Sequence, residues 1–165
     1  KVFKRIKPKP LMTIPNFKKA YDICRWINHH QAFDLIRLAK DKYNWSFELS
    51  QVAKLWLEGS IIKSKLMDLL AIEYKNKSSI MEMDAFKILI KNGQKQWANT
   101  IIYSVNQQIP IPCIVNAWNY FIAITQEKSS ANLIQAQRDF FGVHGFETTN
   151  QRKKLVHGPW SSRDE

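Results

Sequence analysis

The chain has 165 residues, 45% of them hydrophobic, with six Trp, five Tyr and nine Phe, which is ample for one buried core and excludes a disordered segment. Two cysteines far apart in the sequence, Cys24 and Cys113, exclude a dense disulfide framework, and no apolar run approaches the roughly 18 residues of a membrane span. The net charge of +11 sits largely at the ends, since five of the first ten residues are Lys or Arg with no acid. The body between the ends is close to balanced, so a specific nucleic-acid reader is not expected, although basic ends leave non-specific polyanion binding open. A reducing, cytoplasmic location is the expectation.

Taken in chain order, residues 1–16 form a basic, proline-bearing lead-in, and Asn16 is placed to cap a helix. Phe17, Tyr21, Cys24, Ile27, Leu35 and Leu38 recur at helical spacing, which predicts a helix to about Asp41. Tyr43 to Ser46 reads as a connection. A helix from Ser50 to Leu57 stops at Gly59, and another from Ser60 to Tyr74 carries Ile61, Ile62, Leu66, Leu69 and Leu70 on one side. Lys75 to Ser79 is a polar loop. Asp84 to Ile90 predicts a short helix and Gln94 to Asn106 a separate one. Prolines 110 and 112 force an extended link. Ile114 to Ile124 and Leu133 to Phe140 predict two more helices, and residues 143–165 a non-helical tail. No strand-like alternation of useful length occurs. The expected fold is therefore all-α, six or seven helices over residues 17–142.

Local chemistry is sparse. The five glycines form no G-x-G-x-x-G turn, and there is no phosphate-loop lysine motif. His29 and His30 are adjacent, so on a helix they point about 100° apart and are expected as surface or boundary residues, with no metal site. The run Ala131 to His144, A-N-L-I-Q-A-Q-R-D-F-F-G-V-H, does stand out. Arg138 sits inside a helix, and His144 lies just beyond the glycine expected to end it. A guanidinium fork suits a phosphate, and a nearby imidazole can bond another of its oxygens. On spacing alone, the favoured reading is a surface helix carrying Arg138 and Asp139 as a solvated pair, followed by a tail histidine.

The same run resembles the signature of the C-terminal domain of decarboxylating 6-phosphogluconate dehydrogenases. Leu55 to Ser64 resembles that family's W-R-x-G-C-I-I-R-S segment, Ile109 to Pro112 its I-P-V-P turn, and Val156 to Trp160 its F-H-T-x-W tail. The similarity spans about residues 17–160 in the family's order. It implies an all-helical domain that dimerises, with the tail threading into the partner subunit, and a role in NADP-dependent oxidative decarboxylation of 6-phosphogluconate to ribulose 5-phosphate in the pentose phosphate pathway. It also implies that Arg138, His144 and Lys63 contact substrate.

Lys63 stands where the family has arginine, so a point donor replaces a fork and phosphate recognition there is expected to be looser. Ser60 replaces the family's cysteine and Gly145 its threonine. The family's cofactor domain and its lysine and glutamate acid–base pair match nothing here. This stretch alone is expected to be inactive and to be a piece of a longer enzyme, with no catalytic residue of its own. A non-catalytic dimerisation or binding module derived from the family is the alternative.

Overall fold

The computed structural model describes residues 14–161; expectations that fall on the basic lead-in before Ile14 and on the last four residues lie outside it. Among the described residues there are six α-helices and a two-stranded sheet. The helices are α1 (Ile14–Tyr43), α2 (Leu49–Gly59), α3 (Lys65–Glu73), α4 (Asp84–Asn106), α5 (Pro112–Thr125) and α6 (Ala131–Gly142). The strands are β1 (Phe146–Thr148) and β2 (Gln151–Val156). The chain divides into two compact units, one running to Phe121 and one from Ile122 onward.

The first unit is organised by α1 and α4. Ala20, Ile23, Ile27, His30 and Phe33 lie three or four residues apart and are all buried, so one stripe of α1 faces the interior. On α4 the matching stripe is Phe86, Gly93, Trp97, Thr100 and Ser104. The two expected helices over 84–106 are one, because Gly93 stays helical. It lies against α1, where a β-carbon would come within 2.8 Å of Ile23 Cδ1. A small residue is thus what lets these helices approach closely.

Aromatic rings fill the rest of this core. Phe33 stacks on Tyr74 at 4.6 Å and meets Trp56 at 5.1 Å, which ties α1 to both members of the α2–α3 pair. Trp97 is fully buried against Trp118 and Phe121, and its indole N–H donates to the Ile114 carbonyl at 3.3 Å. Buried aromatics of this size contribute roughly 1.5–3 kcal/mol each by area alone.

His30 is in the core, its ring tilted 5.9 Å from that of Tyr120, and not at the surface or boundary as expected; its face of α1 points inward. His29 is half-buried and its Nδ1–H donates to the Arg25 carbonyl at 2.7 Å. Burial pushes both imidazoles below their ordinary pKa, which favours the neutral form. Cys24 and Cys113, distant in sequence, line one surface depression, and burial pushes the Cys24 thiol up to about 12. Among the described residues no group of three His, Cys, Asp or Glu side chains could hold a metal, and no described helix is long and apolar enough to cross a membrane.

In the second unit, α6 leads into an antiparallel hairpin of β1 and β2, with Phe146 opposite Val156 and an irregularity between Glu147 and Thr148. The tail is non-helical, as expected, and holds a short hairpin that no alternation in the sequence announces. Its strands are too short and too polar to show alternation.

Candidate functional site

Arg138 and His144 meet at the C-terminal end of α6. Together with Ile134, Gln137, Phe141 and Gly142 they line one open depression of about 470 Å³. Both side chains are exposed. Arg138 Nη1 donates to Gln135 Oε1 at 2.9 Å, one turn back on the same helix. That partner is a neutral amide, which an anion displaces with gain, since bonds between a guanidinium and a charged acceptor are about twice as strong.

How His144 reaches this position is a matter of backbone. The helix ends at Gly142 as expected, but it is Val143, the next residue, that takes the left-handed conformation (φ 51°, ψ 36°) that glycine would usually supply. A β-branched residue there is strained. Gly142 matters for another reason: a β-carbon on it would stand 2.7 Å from His144 Nε2, so the exposed imidazole lies over the helix end in the space a side chain would fill, and a larger residue there would push the ring aside.

The strain at Val143 is offset by Asp139. Spacing alone makes this residue one half of a solvated pair with Arg138, but its side chain is fully buried and accepts four hydrogen bonds. Oδ1 accepts from the Gly145 N–H at 2.8 Å and from His157 Nδ1 at 2.7 Å. Oδ2 accepts from the Gly158 N–H and from Trp160 Nε1, both at 2.8 Å. The Gly158 N–H first, then His157, the Gly145 N–H and Trp160, hold the carboxyl well below the usual carboxylate range, against burial, which acts the other way. Gly145 carries a positive φ of 68°, and Gly158 lies flush under the Trp160 ring, so both close approaches need glycine. One carboxylate therefore ties α6, the residue after His144 and the C-terminal tail together. Its only sequence signal was an acid beside Arg138, with two glycines and a Trp downstream; that is too weak to identify a hub.

Lys63 belongs to the first unit and lies on a turn between α2 and α3, not inside a helix as expected. Two serines build the turn. Ser60 Oγ donates to the Trp56 carbonyl at 2.7 Å and accepts the Ile62 N–H at 3.2 Å, while Ser64 caps α3 by accepting from the Met67 N–H at 3.3 Å. Lys63 is exposed, with its N–H directed to the Ser60 carbonyl at 3.4 Å, and Ile61 beside it is fully exposed instead of sharing a buried helix face.

Residues 4–160 match the family model described as 6-phosphogluconate dehydrogenase, C-terminal domain. The chain belongs to the 6-phosphogluconate dehydrogenase family. It is 32% identical over 150 residues to the decarboxylating 6-phosphogluconate dehydrogenase of Aggregatibacter actinomycetemcomitans, a match covering 88% of this chain and 31% of that protein. The mouse (Mus musculus) enzyme is 29% identical over 151 residues, covering 90% of this chain and 31% of its own length. The 6-phosphogluconate dehydrogenase of Plasmodium falciparum, solved in its apo form, with its cofactor NADP+ and with its substrate 6-phosphogluconate, superposes with a TM-score of 0.85 at 27% identity. That superposition covers 96% of this chain and 35% of the other. The chain thus spans about a third of the length of these relatives, and its helical architecture is that of the 6-phosphogluconate dehydrogenase C-terminal domain.

Proposed function

We propose that this chain is the substrate-binding and dimerisation part of an NADP-dependent 6-phosphogluconate dehydrogenase, which oxidatively decarboxylates 6-phosphogluconate to ribulose 5-phosphate. The observation that carries the reading is the pairing of Arg138 with His144 on one open depression at the end of α6. A guanidinium fork and an imidazole donor on adjacent positions suit a phosphate with a hydroxyl or oxygen beside it. In this reading Arg138 releases Gln135 and holds two phosphate oxygens and His144 donates to the substrate alongside, while Lys63 is carried as a substrate contact by the family resemblance alone.

The cofactor is a different matter. The five glycines of the chain form no dinucleotide-binding turn, so these residues do not fit a nicotinamide cofactor and no step is derived through it. Hydride transfer, and the acid–base pair it needs, belong in this reading to polypeptide outside this stretch, and the chain by itself is expected to turn over nothing. Leu133, Ile134, Phe140 and Phe141 are all exposed on α6. An apolar surface of this kind favours burial against a second copy, in keeping with a dimer that exchanges tails.

The test uses the product of the intact gene. With 6-phosphogluconate and NADP+ it is expected to form NADPH and carbon dioxide. Arg138→Ala is expected to lower kcat/KM for 6-phosphogluconate by about 10- to 100-fold, the value of one or two charge-assisted bonds, while leaving the KM for NADP+ unchanged. Wild-type activity with an Arg138→Ala variant of equal kcat/KM would overturn the assignment of the depression. A monomer in sedimentation would overturn the dimer.

A further inference from the structure

We propose that Asp139 is a positioning residue: without touching substrate, it sets where His144 stands relative to Arg138, and so governs recognition of the phosphorylated sugar. The inference rests on the reading of the depression given above.

The argument begins with what surrounds His144. The residue before it, Val143, donates its N–H to the Asp139 carbonyl at 2.8 Å. The residue after it, Gly145, donates its N–H to Asp139 Oδ1, also at 2.8 Å. Both backbone neighbours of His144 are therefore bonded to the same residue, and Arg138 immediately precedes that residue on the helix. The histidine side chain is itself exposed, so packing does little to place it. Its orientation comes from the backbone beneath it and from the bare helix end at Gly142.

Replacing Asp139 by Asn separates the loop from the tail for a chemical reason. The amide offers one acceptor atom in place of two, and its nitrogen must face one of the two donor pairs. Toward Gly158 and Trp160 it meets two donors that cannot change role. Toward Gly145 and His157 it meets one fixed donor and one imidazole, whose Nδ1 becomes an acceptor by moving its proton to Nε2. The second arrangement keeps three of the four contacts and leaves the Gly145 N–H without a partner. Asp139→Asn thus loosens the peptide after His144 while keeping the tail bonded.

The experiment is a double-mutant cycle in the product of the intact gene, comparing wild type, Asp139→Asn, His144→Ala and the double variant, each checked for fold by near-ultraviolet circular dichroism. Asp139→Asn is expected to raise the KM for 6-phosphogluconate about tenfold, the effect of one lost hydrogen bond, with the KM for NADP+ unmoved. If Asp139 acts through His144, the double variant is no worse than His144→Ala alone, within about twofold. Losses that multiply would overturn the positioning role and leave Asp139 a general support of the fold. So would an Asp139→Asn enzyme with wild-type KM. A fully active His144→Ala variant would instead remove the substrate reading of the depression, and this inference with it. Should Asp139→Asn not fold, Asp139→Glu runs the same cycle, because it keeps both acceptors and moves them by one methylene.

Discussion

The close crossing of α1 and α4 makes a prediction that can be worked from distances. Gly93→Ala alone brings opposing effects. Alanine is favoured over glycine in a helix interior by about 1 kcal/mol. The new methyl would meet Ile23 Cδ1 at 2.8 Å, however, and Ile23 is fully buried in a close-packed interior, where a rotamer change is costly. Overpacking of this kind costs about 1–3 kcal/mol, so the net effect is a loss of about 0–2 kcal/mol. Ile23→Val removes the offending Cδ1 and costs about 0.5–1.5 kcal/mol as a small cavity. In the double variant the next atoms are Ile23 Cγ1 at 3.7 Å and Lys19 Cβ at 3.8 Å, which are ordinary contacts. The alanine methyl then fills the space that Cδ1 left, and the helix-propensity gain survives. The double variant is expected to equal or exceed wild type, with a favourable coupling of about 1–3 kcal/mol. Urea unfolding of the four proteins, followed by far-ultraviolet circular dichroism, measures it. Additivity within about 0.5 kcal/mol would refute the claim that Gly93 is there for this contact.

Further outcomes follow from other sites. Phe33→Ala, which removes the ring held between Tyr74 and Trp56, is expected to cost about 3–5 kcal/mol in the same unfolding assay. Lys63→Arg restores a fork where the family has one, and is expected to lower the KM for 6-phosphogluconate about fivefold in the intact gene product; an unchanged KM would argue that Lys63 is an ordinary surface lysine. The Asp139 carboxyl has a depressed folded-state pKa, so the stability it contributes is fully present above the unfolded value of about 4 and is lost only as pH falls through the lower folded value. The Trp160 indole N–H resonance is therefore expected to hold its position as pH is lowered through 4; a midpoint near 4 would contradict the four-bond hub.

Much of this protein was legible from spacing and composition. The existence of α1, the bounds of α2 to within two residues and the existence of α5 and α6 follow from helical periodicity. The buried face of α1 does not: of the residues expected along it only Ile27 is buried, while Phe17, Tyr21, Leu35 and Leu38 are exposed, because periodicity marks a helix without showing which of its faces packs. Arg138 and His144 stand out as an arginine inside a helix and a histidine just past its end, but spacing alone favours a solvated surface reading, and only the family resemblance gave them a substrate role. Lys63 could be singled out only through family resemblance, since an exposed lysine on a turn has no pattern of its own.

Other features depended on partners that local sequence does not reveal. Gly93 reads as a helix break until Ile23, seventy residues earlier, is seen against it, and His30 reads as a surface residue until Tyr120 is in place. Asp139 shows the difference most sharply. An acid next to an arginine looks solvated, and its burial requires two backbone N–H groups, an imidazole and an indole, most of them supplied by a tail 18 to 21 residues away. The residue types of the second unit were determined along the chain. Which of its carboxylates is a solvated charge and which is the anchor of a site was decided by the fold, because only a closed tail delivers enough donors to keep a charge out of water.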